Sequence, residues 1–217
     1  MLKSNQKFSN KYTTANGASR AFVNFIGLKT LWFNTGTLCN LTCKGCYIES
    51  SPTNDKLLYL SLKDVEHYIN EILINNKSCK TIGFTGGEPF MNKDIIEILE
   101  LCLVKGFDVL VLTNAMQPMQ NKINNLKKLS KFKKLKLRVS LDHFCMSEHE
   151  KIRGKKTWNK ALRGIELLLN NNFNLNIASR ILYKDEQLIR DGFAKLFKLH
   201  NFKMNANDPN DLVLFPE

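Results

Sequence analysis

Three cysteines stand close together in the stretch CNLTCKGCY. They are Cys39, Cys43 and Cys46, so their spacing is C-x3-C-x2-C. Thiolates are soft ligands that suit zinc ions or iron–sulfur clusters. A structural zinc ion needs four closed ligands, and either Cys145 or His143 could supply the fourth one here. A [4Fe–4S] cluster held by three cysteines instead leaves one iron open to an exchangeable ligand.

The size and composition of the chain limit the kinds of fold that can position these thiols. Its 217 residues match a single α/β domain, and a hydrophobic fraction of 43% suffices for a core. No apolar run approaches the length of about 20 residues that a membrane span needs. Six cysteines without a secretory signal argue against a disulfide framework. We therefore expect a cytoplasmic protein with no membrane partner, although the absence of acids before Glu49 is also a feature of transit peptides.

The net charge of +12 raises the question of a nucleic-acid partner. Eight positive charges lie between Lys122 and Arg138 without an intervening acid. Apolar residues recur through the first part of this stretch at helical spacing, which places the lysines on a solvated face. Nucleic acid is therefore disfavoured as a partner.

Short β-rich runs alternate with amphipathic helical stretches from Leu31 onward. Strands are predicted at Trp32–Leu38, Thr81–Thr85, Asp108–Thr113, Lys136–Leu141, Asn174–Ser179 and Leu212–Phe215. Helix-start signals stand at Ser61, Asn92, Thr157 and Asp185. Such alternation implies parallel strands joined by right-handed crossovers. The sequence thus predicts a partial barrel or an open doubly wound sheet over residues 29–217, behind a polar arm formed by residues 1–28.

Polar and reactive residues follow five of the predicted strands. They are Cys39 after the first, Gly86, Gly87, Glu88 and Pro89 after the second, Thr113 and Asn114 at the third, Ser140 and Asp142 at the fourth, and Arg180 after the fifth. The carboxyl ends of parallel strands meet at one edge of the sheet, where α/β proteins bind ligands. We therefore expect these side chains and the cysteines to form one site.

The stretches CNLTCKGCY and TGGEP together resemble the radical S-adenosylmethionine (radical SAM) enzymes. The stretches TNA, SLDH and HEKIRG extend the resemblance over most of the chain, from about Trp32 to the C-terminus. Motif and context together are far more specific than three cysteines alone. The resemblance implies a partial (β/α)6 TIM-like barrel of parallel strands with outer helices.

The same resemblance implies two cofactors and a reaction. Cys39, Cys43 and Cys46 would bind three irons of a [4Fe–4S] cluster, and S-adenosylmethionine (SAM) would chelate the fourth. Reductive cleavage of SAM would give methionine and a 5′-deoxyadenosyl radical that abstracts hydrogen from a small-molecule or peptide substrate. An external electron donor of the flavodoxin or ferredoxin type is also implied. The substrate itself is not readable, because a fold does not fix a function.

The resemblance also assigns a set of SAM-binding residues. They are Tyr47 near the adenine, Gly86, Gly87, Glu88 and Pro89 near the methionyl ammonium, Ser140 and Asp142 at the ribose hydroxyls, Arg180 at the methionyl carboxylate, and Asn114 beside cofactor or substrate. Two assignments stay open, because Glu88 could instead stabilise its turn and Tyr47 could be a core aromatic.

The loop after the fourth strand holds the candidate catalytic residues, His143 and Cys145. Cys145 is either a second hydrogen donor or a bystander thiol, since nothing in the sequence indicates a lowered pKa. Arg153 and Gly154 match an Arg-Gly pair common in the family, for which shaping the loop is at least as good an interpretation as catalysis.

The chain departs from the family pattern at its C-terminal end. Its last cysteine is Cys145, so auxiliary clusters on a cysteine-rich extension are not expected. The sixth predicted strand has no helix after it, and a bare strand edge invites a dimer, another partner chain or a shortened form. Two other functions remain open: a non-catalytic member that binds a cluster, and a zinc-stabilised module that binds nucleic acid.

Overall fold

Six parallel strands form one open sheet in the order of the chain. The computed structural model describes residues 9–75, 78–181 and 185–216. The strands are β1 Thr30–Asn34, β2 Thr81–Thr85, β3 Asp108–Thr113, β4 Leu135–Ser140, β5 Asn174–Ile181 and β6 Leu212–Pro216. All five neighbouring pairs are parallel. The predicted α/β architecture is therefore confirmed.

Helices connect these strands, as alternating units require. Within the described ranges they are α1 Leu62–Asn75, α2 Ile95–Val104, α3 Gln117–Asn121, α4 Ile123–Leu126, α5 Met146–Arg153, α6 Trp158–Asn170 and α7 Glu186–Leu199, with 3-10 turns at Pro89–Met91 and Lys127–Leu129. None of these helices has both the length and the apolar character that crossing a membrane would require. Of the predicted N-terminal arm, residues 1–8 lie outside the described part of the chain.

The helix-start signals in the sequence are mostly confirmed. Ser61 forms a reciprocal capping box, because its Oγ donates to Asp64 Oδ2 at 2.6 Å and accepts from the Asp64 amide at 3.2 Å. The signal at Asn92 is displaced by two residues. Asp94 directly precedes α2, and Asn92 accepts a hydrogen bond from the Asp94 amide at 2.9 Å, which holds the turn before the helix.

The two faces of the sheet differ in burial. Phe33 and Phe84 stack with ring centroids 5.6 Å apart on the face covered by α1 and α2, where Phe84 is fully buried. We call the opposite side the inner face; it carries Trp32, Gly83, Leu110, Leu112, Lys136, Arg138, Asn176 and Arg180. In a closed barrel, layers of side chains fill this space. Here Trp32 remains 45% exposed, so the inner face is open.

Strand β1 ends four residues earlier than the sequence predicts, and this early end positions the cysteines. Instead of continuing the sheet, residues 35–38 pack on the turn after β2. The Gly87 amide donates to the Gly36 carbonyl at 2.8 Å, and the Glu88 amide donates to the Leu38 carbonyl at 3.1 Å. Because Cys39 follows Leu38 directly, this contact fixes where the cysteine segment leaves the sheet.

Candidate functional site

Cys39, Cys43 and Cys46 line one cavity of about 190 Å³ at the carboxyl ends of the strands. The cavity is lined by Cys39, Leu41, Cys43, Gly45, Cys46, Tyr47, Ser50, Thr85, Gly86, Gly87, Glu88, Leu112, Thr113, Asn114, Ser140, Arg153 and Arg180. It therefore unites the cysteine segment with the ends of β2, β3, β4 and β5. The fold brings together most of the residues that the sequence predicts for one site.

The three cysteines occupy environments of different burial. Cys39 is 7% exposed, and burial raises the pKa of its thiol to about 12. Burial also raises the pKa of Cys43, although the nearby Arg153 opposes this effect. Both thiols are therefore protonated near neutral pH without a bound metal. Since thiolates are the ligating form, metal binding here must release protons.

A buried cation balances the charge that thiolates would bring. Arg153, at the end of α5, donates from Nε to Asp142 Oδ2 at 2.6 Å and from Nη2 to Asp142 Oδ1 at 3.3 Å. Arg180 Nε lies 3.4 Å from the same carboxylate. Both arginines line the cavity, whereas Asp142 lies behind them. The charge of Arg153 favours the thiolate forms of Cys39 and Cys43, whereas the carboxylate of Glu88 disfavours the thiolate of Cys39.

Glu88 joins the end of β2 to the end of β3. Its carboxylate accepts hydrogen bonds from Thr113 Oγ1 at 2.7 Å, the Asn114 amide at 2.8 Å and the Phe90 amide at 3.2 Å. Burial raises the pKa of Glu88, and these three donors oppose that shift. Both carboxylate oxygens are thus engaged within the protein. The geometry favours a role for Glu88 in holding the turn.

The two glycines after β2 permit close packing of backbone on backbone. A Cβ on Gly87 would lie 2.0 Å from the Leu38 carbonyl oxygen, and one on Gly86 would lie 2.7 Å from that of Gly36. Within the described ranges, the carbonyl oxygens of Gly86 and Gly87 accept no hydrogen bond. Both glycines line the cavity.

Asn114 connects the end of β3 to the cysteine segment. Its Nδ2 donates to Asn40 Oδ1 at 2.9 Å and lies 4.0 Å from Cys39 Sγ, while its Oδ1 accepts from the Met116 amide at 2.9 Å. The amide is thereby oriented with its donor toward the thiol. Hydrogen bonds to sulfur are one of the means by which proteins tune iron–sulfur clusters.

Other candidate residues differ in their relation to the cavity. Tyr47 and Ser140 line it, and Tyr47 is 82% exposed at its mouth. Pro89 is buried at the start of a 3-10 turn outside the cavity. His143 and Cys145 also lie outside it: the Cys145 amide donates to His143 Nδ1 at 2.9 Å, and the Cys145 side chain is exposed.

The zinc interpretation needs four ligands around one ion. Within residues 9–75, 78–181 and 185–216, no group of three or more His, Cys, Asp or Glu side chains is arranged to hold a single metal ion. The donor set that does converge consists of three thiols, and a larger iron–sulfur cluster accepts three cysteines while leaving one iron open. The residues fit such a cluster.

The cation Arg153 is the main element of the site whose place sequence reasoning missed. The Arg-Gly pair predicts either loop shaping or catalysis for Arg153, and the resemblance predicts a ribose contact for Asp142. The spacing between them gives no sign that they pair, since ten residues and most of α5 intervene. The Arg-Gly match was the available signal.

His149 lies near this ion pair and carries a pH dependence. Its ring is fully buried against Trp158, and neither ring nitrogen has a hydrogen-bond partner among the described residues. Burial, assisted by the charge of Arg153, lowers the pKa of His149 from 6.5 to about 4. Between these values the unfolded chain binds a proton that the folded chain excludes. The free energy of unfolding therefore decreases as the pH falls from 6.5 toward 4.

We expect His149→Phe to remove about 3 kcal/mol of this pH dependence. The measurement is urea unfolding of wild type and variant at pH 7 and at pH 4. The exposed His67 provides the matched control, and His67→Phe should retain the wild-type difference between the two pH values. An unchanged difference in His149→Phe contradicts the assignment.

Sequence comparison finds a protein family and several known proteins that are similar to this chain. The family model "Radical SAM superfamily" matches residues 33–188. The antilisterial bacteriocin subtilosin biosynthesis protein AlbA of Bacillus subtilis (strain 168) is 29% identical over 183 residues, which are 81% of this chain and 39% of AlbA. GTP 3′,8-cyclase of Haemophilus influenzae (strain PittEE) is 26% identical over 149 residues, 68% of this chain and 43% of that enzyme. The chain thus spans about two fifths of these relatives' length.

Structural comparison finds the same fold. SuiB of Streptococcus suis bound to S-adenosylmethionine superposes with a TM-score of 0.68 at 15% identity, over 88% of this chain and 41% of SuiB. SuiB bound to its precursor peptide SuiA gives a TM-score of 0.69 at the same identity, over 88% and 39%. At such low identity this likeness shows the fold alone, which is a partial TIM barrel.

Proposed function

Because this chain belongs to the radical SAM superfamily, we propose that it is the SAM-cleaving core of an enzyme that modifies a peptide. The superfamily uses a [4Fe–4S] cluster and SAM. The observation that carries the proposal is the convergence of three cysteines, two arginines and the Gly86–Gly87 turn on one cavity. The relatives reported above include enzymes, which supports a catalytic function over a purely cluster-binding one.

In this proposal Cys39, Cys43 and Cys46 ligate the cluster, and the fourth iron is left for SAM. The bound cofactors would supply a 5′-deoxyadenosyl radical. Arg153 stabilises the thiolates by its charge, and Asp142 holds that guanidinium in place. The Asn114 amide donates toward Cys39, and the buried setting of this thiol keeps water away from it.

The remaining cavity residues are proposed to bind SAM. The carbonyls of Gly86 and Gly87 accept from the methionyl ammonium, and Arg180 pairs with the methionyl carboxylate. Ser140, which lines the cavity, is proposed to bind a ribose hydroxyl, and the exposed ring of Tyr47 is proposed to stack on the adenine. Asp142 acts through the two arginines rather than by contact with the ribose.

A peptide is the proposed substrate class. AlbA is named for the biosynthesis of the bacteriocin subtilosin, and the structural neighbour SuiB was solved with its precursor peptide. The half-barrel gives such a substrate an open side, since the inner face is exposed at Trp32. An external flavodoxin or ferredoxin is the proposed electron donor.

The test is anaerobic incubation of the iron-loaded chain with dithionite and SAM, followed by chromatography for 5′-deoxyadenosine. We expect the product to form at a rate that increases with protein concentration. Buffer containing dithionite and SAM alone is the control. Iron-loaded protein that yields no product above this control contradicts the proposed function.

A further inference from the structure

The inner face of the sheet carries a guanidinium that the proposed cofactor site does not use. Arg138 lies two residues before Ser140 on β4, so both side chains point to the same face. Ser140 lines the cavity, and so does Leu112, which pairs with Arg138 across β3 and β4. Arg138 therefore lies on the inner face immediately beside the cavity.

Arg138 lacks an acidic partner among the described residues. Its Nε donates to Asn176 Oδ1 at 3.2 Å, and Asn176 is neutral and 2% exposed. Arg153 and Arg180, in contrast, both pair with Asp142. Burial lowers the pKa of Arg138, so its surroundings disfavour the cation rather than compensate it. Such a group is stabilised by a bound anion.

The surroundings of Arg138 on the inner face are largely apolar. Leu110 and Leu112 continue the face across β3, and Trp32 lies over Gly83, where an added Cβ would come within 2.3 Å of the indole. The indole is 45% exposed, so it borders the open side of the half-barrel. Lys136 lies on the same face two residues before Arg138, beside Leu110 and farther from the cavity, and Arg180 lies on it at the cavity itself. Apolar walls with a few charged groups are typical of sites that bind organic acids.

We propose that the inner face around Arg138 is a substrate subsite that binds a carboxylate, with Trp32 forming an apolar wall. The proposal rests on the proposed function, because the substrate must lie beside the cavity that holds SAM. The planar guanidinium of Arg138 presents two parallel N–H donors, which match the two oxygens of a carboxylate. In a peptide this group is an acidic side chain or the C-terminal carboxylate.

The test is an NMR titration of the anaerobically purified, iron-loaded chain with 15N-labelled arginine and tryptophan. Sodium acetate is the probe in one arm and inorganic phosphate in the other, at constant ionic strength. We expect acetate to shift the Arg138 Nε and Trp32 indole resonances saturably. Followed at Trp32, acetate binding should weaken about tenfold or more in Arg138→Gln. The exposed Arg163 on α6 gives the control, and Arg163→Gln should bind acetate like wild type.

Each result of this experiment bears on the subsite. Arg138→Lys keeps the positive charge but loses the two parallel N–H donors, so it should bind acetate with intermediate affinity. If Arg138→Gln does not fold, the comparison is made with Arg138→Lys instead. Stronger binding of phosphate than of acetate, or no saturable shift with either, overturns the proposal. SAM cleavage is assayed separately on the same wild-type preparation. Missing cleavage refutes the proposed function, while a saturable acetate shift still supports the subsite.

Discussion

Replacing Cys43 with alanine is expected to abolish iron binding and SAM cleavage together. Cys43 lies between Cys39 and Cys46 in the sequence, lines the same cavity as these two residues, and lies near the charge of Arg153. Two thiolates cannot hold three irons of a cluster, so the fourth iron would not be presented to SAM. The measurements are iron per chain, about four in wild type, and 5′-deoxyadenosine, which should fall to background in the variant.

Cys145→Ala is the matched control for this loss. The Cys145 side chain is exposed and lies outside the cavity, so its removal should leave the iron content unchanged. Loss of metal in Cys145→Ala would instead support the zinc interpretation, in which this thiol is a fourth ligand. Full iron content and product formation in Cys43→Ala would contradict the proposed ligand set.

Gly87→Ala is expected to disrupt the site through the backbone. The added Cβ would lie 2.0 Å from the Leu38 carbonyl oxygen and 2.5 Å from its carbon, and neither atom belongs to a flexible side chain. The segment leading to Cys39 must therefore move away from the turn after β2. We expect a loss of about 1–3 kcal/mol in the free energy of unfolding and a decrease in SAM cleavage of about a hundredfold, measured by urea unfolding and product chromatography.

Gly106→Ala separates the effect on the site from general destabilisation. Gly106 has a positive φ of 89°, and an added Cβ would meet no atom within 4 Å. This change should lower the free energy of unfolding by about 1 kcal/mol through backbone strain and leave SAM cleavage at the wild-type level. Similar cleavage in Gly87→Ala and wild type would show that the close approach of the two segments is not required.

The sequence predicts the strands best where apolar runs end abruptly in polar turns. Thr81–Thr85 and Asp108–Thr113 have the predicted bounds, because a buried run is followed directly by Gly86 in one case and Asn114 in the other. The prediction for β1 fails at its end, since Thr35 to Leu38 read as a strand. Their partner is the Gly86–Gly87 turn, some fifty residues away, and no local pattern encodes that contact.

Charges are the part of the site that the sequence describes least well. The sequence places Arg138 on the predicted strand Lys136–Leu141 without indicating its direction, and β4 puts it on the inner face of the sheet beside the cavity. Asp142 was expected at a ribose, yet it pairs with Arg153 and Arg180. Residue type and spacing predict which strand end a group follows. The direction of a side chain beyond a strand end depends on packing between distant segments.

The most direct test of the central claim is electron paramagnetic resonance of the dithionite-reduced, iron-loaded chain before and after addition of SAM. The claim is that Cys39, Cys43 and Cys46 leave one iron of a cluster open to SAM within the cavity. A ligand that binds this iron changes the electronic environment of the cluster, so we predict a clear shift of the signal in wild type. A signal that is the same with and without SAM would contradict the account.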